Sequence, residues 1–124
     1  MGLFQNIDFK LINFSNNIGA QLSRDRPEYP EELKIFEERR IDWIDDGINK
    51  AIIIQPDFEI NGVNKESWNF ILFAWYNDAN SVDIPRWIEI LISKKNFNFI
   101  ESQIDKLLEE AIFKLNNIEK INLK

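Results

Sequence analysis

At 124 residues the chain fits one domain, long enough to bury roughly two-thirds of its unfolded surface; with 44% hydrophobic and 29% charged residues it reads as globular, not disordered. Twenty-one acids against fifteen bases give a net charge of −6, which disfavours nucleic acid as a direct partner. The absence of cysteine and histidine removes disulfides, thiolate nucleophiles, the usual zinc ligand sets and the common neutral-pH general base.

The amino terminus, MGLFQNIDFK, lacks the basic start and apolar run of a signal peptide, and Asn6 stands where a myristoylation signal requires Ser or Thr. A cytoplasmic location is expected. Over residues 3–22, Phe4, Ile7, Leu11, Phe14, Ile18 and Leu22 recur at steps of three and four, the stripe of an amphipathic helix that packs on a core. Its polar face is too poor in Lys and Arg to favour a membrane surface. SRDRPEYP, with two prolines three residues apart, is a connection.

Pro30 suits the first turn of a second helix, expected to run to about Asp46 with Gly47 as its stop. On a helical wheel Leu33, Phe36, Ile41, Trp43, Ile44 and Ile48 form the apolar face. Glu31, Glu38, Asp42, Asp45 and Asp46 form the opposite face, with Ile35 exposed among them. Residues 28–46 hold eight acids and three bases, a net of −5, so the other 105 residues (13 acids, 12 bases) are nearly neutral. Glu37 and Arg40 fall on the apolar side, three apart, as a candidate ion pair.

AIIIQPDFEI alternates, with Ile52, Ile54, Phe58 and Ile60 on one side and Gln55, Asp57 and Glu59 on the other, and Asn61-Gly62 follows as a hairpin signal. A two-residue turn would set Phe58 against Lys65 and Ile54 against Asn69. A five-residue connection, Asn61 to Lys65, pairs Phe58 with Trp68, Ile54 with Leu72 and Ile52 with Ala74. One residue of slip moves every side chain to the wrong face, so the longer loop is expected. The stretch from Trp68 to Tyr76, apolar at nearly every position, then reads as a central strand covered on both faces. IPRWIEILIS is open between a helix started by Asp83 and Pro85 and a strand; its β-branched and aromatic residues favour a third strand with Pro85 at its start, and Phe97 to Ile118 reads as a long amphipathic helix.

The expected fold is therefore α+β: two N-terminal helices, a three-stranded antiparallel meander and a long C-terminal helix, as one domain over residues 1–124. A mostly α chain with one β-hairpin is the alternative.

The functional candidates follow from charge. The acidic face of the second helix (Glu31, Ile35, Glu38, Asp42, Asp45, Asp46) reads as a docking ridge for a basic protein, since concentrated charge of one sign steers association with the other. Trp75, Tyr76 and Asp78, where the central strand meets the polar loop YNDANSVD, are candidate anchors. That loop lacks the spacing and the glycine of a calcium site. No phosphate loop or dinucleotide fingerprint is present, and chance carboxylate pairs have no specificity, so an enzyme, a metal and a cofactor are not expected. The reading is a small acidic binding module that inhibits a basic partner (toxin, nuclease or defence protein), as an immunity or anti-defence protein of a bacterium or phage would. A non-catalytic subunit of a larger assembly is the alternative, and a carboxylate-dependent enzyme the third reading.

Overall fold

The computed structural model describes residues 3–23, 38–45, 47–57, 69–78 and 87–117. A short 3-10 helix, Leu3–Asn6, leads into α1, Asp8–Ile18. Five strands follow: β1 Gln21–Ser23, β2 Arg39–Asp45, β3 Ile48–Pro56, β4 Asn69–Asp78 and β5 Trp87–Asn96. The last strand runs straight into α2, Phe97–Asn116, whose first turn is capped by the Asn96 side chain accepting from the Phe99 N–H at 2.9 Å. The sheet is an antiparallel meander in the order β1-β2-β3-β4-β5.

Among the described residues the expected three-stranded meander with two N-terminal helices is thus corrected to a five-stranded antiparallel sheet with one α-helix before it, and the mostly α alternative falls with it. The region expected as the end of a second helix is β2. Its start at Pro30, with Glu31, Ile35 and Glu37, lies outside the described residues. The reason for the strand is local and tertiary together. Asp45 pairs with Ile48 across a tight turn in which Gly47 takes φ 78°, a conformation that costs glycine nothing. Gly47 therefore closes a hairpin where a helix stop was expected. In the strand, Ile41 and Trp43 share the inner face, and seven successive pairings to β3 outweigh a helical spacing that no packing partner supports.

The first helix is also shorter than its stripe. Gly19 ends α1 in the left-handed conformation, φ 69°, with the Ala20 N–H donating to the Ser15 carbonyl at 2.8 Å, and Leu22 lies in β1.

Pairing of β3 with β4 follows the expected register: Ile54 lies opposite Leu72 and Ile52 opposite Ala74. The Phe58–Trp68 pair and the Asn61–Lys65 connection lie outside the described residues. β4 is interior, between β3 and β5, and is covered on both faces: Leu72 and Ala74 are fully buried on the inner face and Phe73 is buried on the outer. The third strand of the expected meander is present as β5; Pro85 lies outside the described residues.

The main core fills the inner face. Ile41, Ile52, Ile54, Leu72, Ala74 and Tyr76 meet Ile100, Ile104, Leu107, Leu108, Ala111 and Leu115 of α2, while Phe4, Ile7 and Leu11 close one end. Phe4, Phe70 and Phe97 stack edge-to-face with centroids 5.1–5.9 Å apart, each contact contributing about 0.5–1.5 kcal/mol beyond its buried area. Arg39 ties α1 to the sheet, its guanidinium reaching both carboxylate oxygens of Asp8 (2.8 and 3.2 Å) and lying 4.4 Å from the Phe4 ring centre. A smaller cluster of Ala51, Ile53 and Phe73, flanked by Ile71 and Trp75, occupies the outer face.

Candidate functional site

Side chains alternate along β2, so Arg40, Asp42 and Ile44 stand on the outer face while Arg39, Ile41, Trp43 and Asp45 stand on the inner. Across the outer face the register brings Arg40 and Asp42 of β2 near Ala51 of β3, and Ala51 lies beside Trp75 of β4. Because Ala51 is small, Arg40 reaches over it. Its guanidinium carbon lies 4.2 Å from the Trp75 ring centre, and its Nε donates to both Asp42 oxygens at 2.7 and 2.9 Å. The result is a stack in which an aromatic ring, a cation and an anion hold one another, with each flexible side chain fixed by the next.

This stack borders a cavity of about 500 Å³ at the sheet corner, lined by Gly19, Ala20 and Gln21 on one side and by Trp43, Ile44, Asn49 and Lys50 on the other. Its size falls within the range of ligand-binding clefts. Ile44 is 72% exposed at the rim. At the hairpin end the Asp45 side chain, 57% exposed, accepts from the buried Lys50 ammonium at 2.8 Å, so an exposed acid pins a buried base of the same inner face. Asn77, opposite Asn49 on the outer face, is buried with an Oδ1 that meets no donor. Comparison with protein-family models, curated proteins and solved structures gives no match.

The expected docking residues are redistributed by the strand. Glu38 is only 5% exposed, so it is not part of a solvated ridge. Asp42 and Asp45, three apart, would share a helix face but project to opposite faces of a strand. Ile44, expected on the buried side, is among the most exposed apolar residues. Of the anchors on β4, Trp75 stands on the outer face at the stack, whereas Tyr76 is buried in the inner core and faces the helices. Asp78 is the last residue of β4. Glu31, Ile35 and Asp46 lie outside the described residues, as do Asn80, Ser81 and Asp83 of the polar loop.

Of the expected Glu37–Arg40 pair, Glu37 lies outside the described residues; Arg40 is seen paired with Asp42. Gln21, Trp43 and Asn49 are the cavity residues that charge reasoning missed, because each is assembled from a different strand. Among the described residues no group of three or more Asp or Glu could hold a metal, and no helix is long and apolar enough to cross a membrane. The chemistry available at the corner is recognition: an aromatic platform, a polarised ion pair and an exposed aliphatic rim.

Proposed function

We propose that this chain is a non-catalytic cytoplasmic binding module that masks a basic surface of a protein partner, in the manner of an inhibitor such as an immunity or anti-defence protein. The observation that carries the reading is the Trp75–Arg40–Asp42 stack beside the exposed Ile44 on the outer face, with Asp45 exposed at the hairpin end on the other face. Binding hot spots combine a held aromatic or arginine with a neighbouring aliphatic contact, because fixed side chains lose little entropy on docking. The charge supports the sign of the partner. Residues 28–46 carry a net −5 of the chain's −6, and Asp42 and Asp45 sit within that segment.

Affinity capture compares the wild type with the triple variant Asp42→Asn, Ile44→Ser, Asp45→Asn. The amides keep acceptor oxygens for Arg40 and Lys50 while removing charge. The reading expects a basic protein enriched on the wild type, bound about tenfold or more weakly by the variant, and released by raised salt as screening shortens the reach of the acids. Recovery of the same proteins by both forms, independent of salt, contradicts it.

A second reading, a structural subunit of a larger assembly, is favoured by Phe9, Phe99 and Phe113, which stand exposed on the helices. Such an association would be insensitive to salt and to the triple variant.

A further inference from the structure

The edge of the sheet opposite the β1–β2 corner is β5, and among the described residues no strand pairs with its free side. The register assigns its outward peptide groups. The Asp57 N–H donates to the Asn69 carbonyl at 2.9 Å, so the β4 residues in step with Asn69 (Ile71, Phe73, Trp75) bond β3, and those between them bond β5. Ile88, Ile90, Ser93 and Lys95 are thereby spent on β4, while Glu89, Leu91 and Lys94 turn their N–H and C=O groups away from the sheet. A bulge and lysines usually blunt such an edge. Here they make it self-complementary. Glu89 and Lys94, five apart, would stand on opposite faces of a regular strand, but Ile92 slips between the pairs Leu72–Ser93 and Phe73–Leu91 and returns both to the outer face. A second copy laid antiparallel, with a two-fold axis between Leu91 and Ile92, uses the strand from end to end, Trp87 against Asn96, and sets Glu89 against Lys94 twice. Glu89 is exposed and makes no bond among the described residues, and Lys94, 3.3 Å from Asp57, keeps ammonium donors for it. The next register that matches the faces sets Leu91 against Lys94 and leaves Glu89 opposite Asn96, so charge selects the first.

A second patch converges on the same axis. α2 follows β5 without a break and packs back over β4 and β5. The middle of β5 lies about 15 Å from its end, a distance that α2 covers in about ten residues, which reaches Lys106. The exposed Phe99 and Phe113 are centred on Lys106. On the helical wheel Asp105 reaches Lys10 of α1 from one flank, Phe99 lies on the other, and Phe113 stands at its outer margin. A helix centred between β4 and β5 stands about 10 Å from its two-fold mate, the separation of packed helices. We infer that the chain forms a two-fold dimer in which β5 pairs with β5 and α2 packs against α2, Phe99 of each copy against Phe113 of the other. An isologous contact requires its features to recur about one axis, and the strand pattern and the phenylalanine spacing do so independently, whereas an unrelated partner requires neither. The inference goes beyond the masking function and leaves both β1–β2 corners free.

Sedimentation velocity of the full chain is expected to show twice the chain mass, with a Kd of about 1–100 µM. Glu89→Lys sets like charges against each other at two places and weakens the dimer about tenfold, while the exposed position keeps the fold. Because the chain has no cysteine, Lys106→Cys places one thiol per copy beside the axis. A short bismaleimide then joins two copies of Lys106→Cys and does not join Phe9→Cys, whose thiol lies on α1. This arm decides the matter if Glu89→Lys does not fold. A monomer at about 500 µM, five times the weakest expected Kd, overturns the dimer. So does unchanged affinity in Glu89→Lys, or joining through Phe9→Cys and not through Lys106→Cys. Capture of a basic partner that depends on Asp42, Ile44 and Asp45 is unaffected by each of these results, so the masking function and the dimer stand or fall separately.

Discussion

Replacing Asp8 by alanine leaves Arg39 with a guanidinium that the fold keeps away from water. The Arg39 side chain is 9% exposed and Asp8 17%, and the pair shares two hydrogen bonds. Removing one partner of a fully buried pair costs about 3–5 kcal/mol. Arg39 keeps a bond to the Glu38 carbonyl at 2.9 Å and its contact with the Phe4 ring, which retain part of its stabilisation. The expected loss for Asp8→Ala is therefore about 2–3 kcal/mol, or roughly 8–12 °C in Tm for a domain of this size. The double variant Asp8→Ala, Arg39→Met removes both charges and fills the space over Phe4. It is expected to be more stable than Asp8→Ala alone, with a coupling of about 1–2 kcal/mol in a double-mutant cycle read by urea denaturation. A loss under about 1 kcal/mol for the single change, or strict additivity, would mean that water reaches Arg39 and that the pair does not anchor α1 to the sheet.

Leu72→Ala, at a fully buried position opposite Ile54, is expected to cost about 2–5 kcal/mol in chemical denaturation; a loss under 1 kcal/mol would place β4 at the surface. Gly47→Ala forces a Cβ into a left-handed backbone at the β2–β3 hairpin, at a cost of about 1–3 kcal/mol by thermal melting, and Gly47→Asn is the milder change. Neutrality of both would put the loop in another conformation. Asn77→Leu, which replaces a buried oxygen that has no donor, should cost less than about 1 kcal/mol, whereas a loss above 2 kcal/mol would reveal a hydrogen bond to that oxygen.

What was legible in the sequence and what was not divides along a physical line. The β3–β4 register could be read because pairing Ile54 with Leu72 and Ile52 with Ala74 keeps apolar residues together, whereas the other loop length sets Ile54 against Asn69 and Phe58 against Lys65. The long run of α2 repeated its stripe for five turns, so one or two ambiguous residues could not hide it. β2 gave the opposite case. Its seven residues alternate cleanly only from Arg40 to Trp43 before the exposed Ile44, and the same residues also fit a 3.6-residue stripe with Leu33, Phe36 and Ile48. The decisive signal was Asp46-Gly47, read as a helix stop although Asp-Gly between apolar residues is also a hairpin loop. β1 has three residues and exists only by pairing with β2, so no local pattern announces it. The site inherited the β2 error. Once the helix becomes a strand, Asp42 and Asp45 separate to opposite faces and Glu38 is buried. Trp75, expected as a candidate anchor, stands on the outer face, but its partner Arg40 belongs to a strand that the helical reading had dissolved.

The central claim is that partners meet this chain at the corner formed by β1, β2 and β4. The measurement that bears on it most directly is a backbone and indole amide map of the isotope-labelled protein with and without a captured basic partner. The account predicts the largest shifts at Arg40–Asp45, Gln21 and the Trp43 and Trp75 indoles, diminished as salt is raised. Shifts confined to α1 and α2 around Phe9, Phe99 and Phe113, unchanged by salt, would contradict it and make the helical layer the interface.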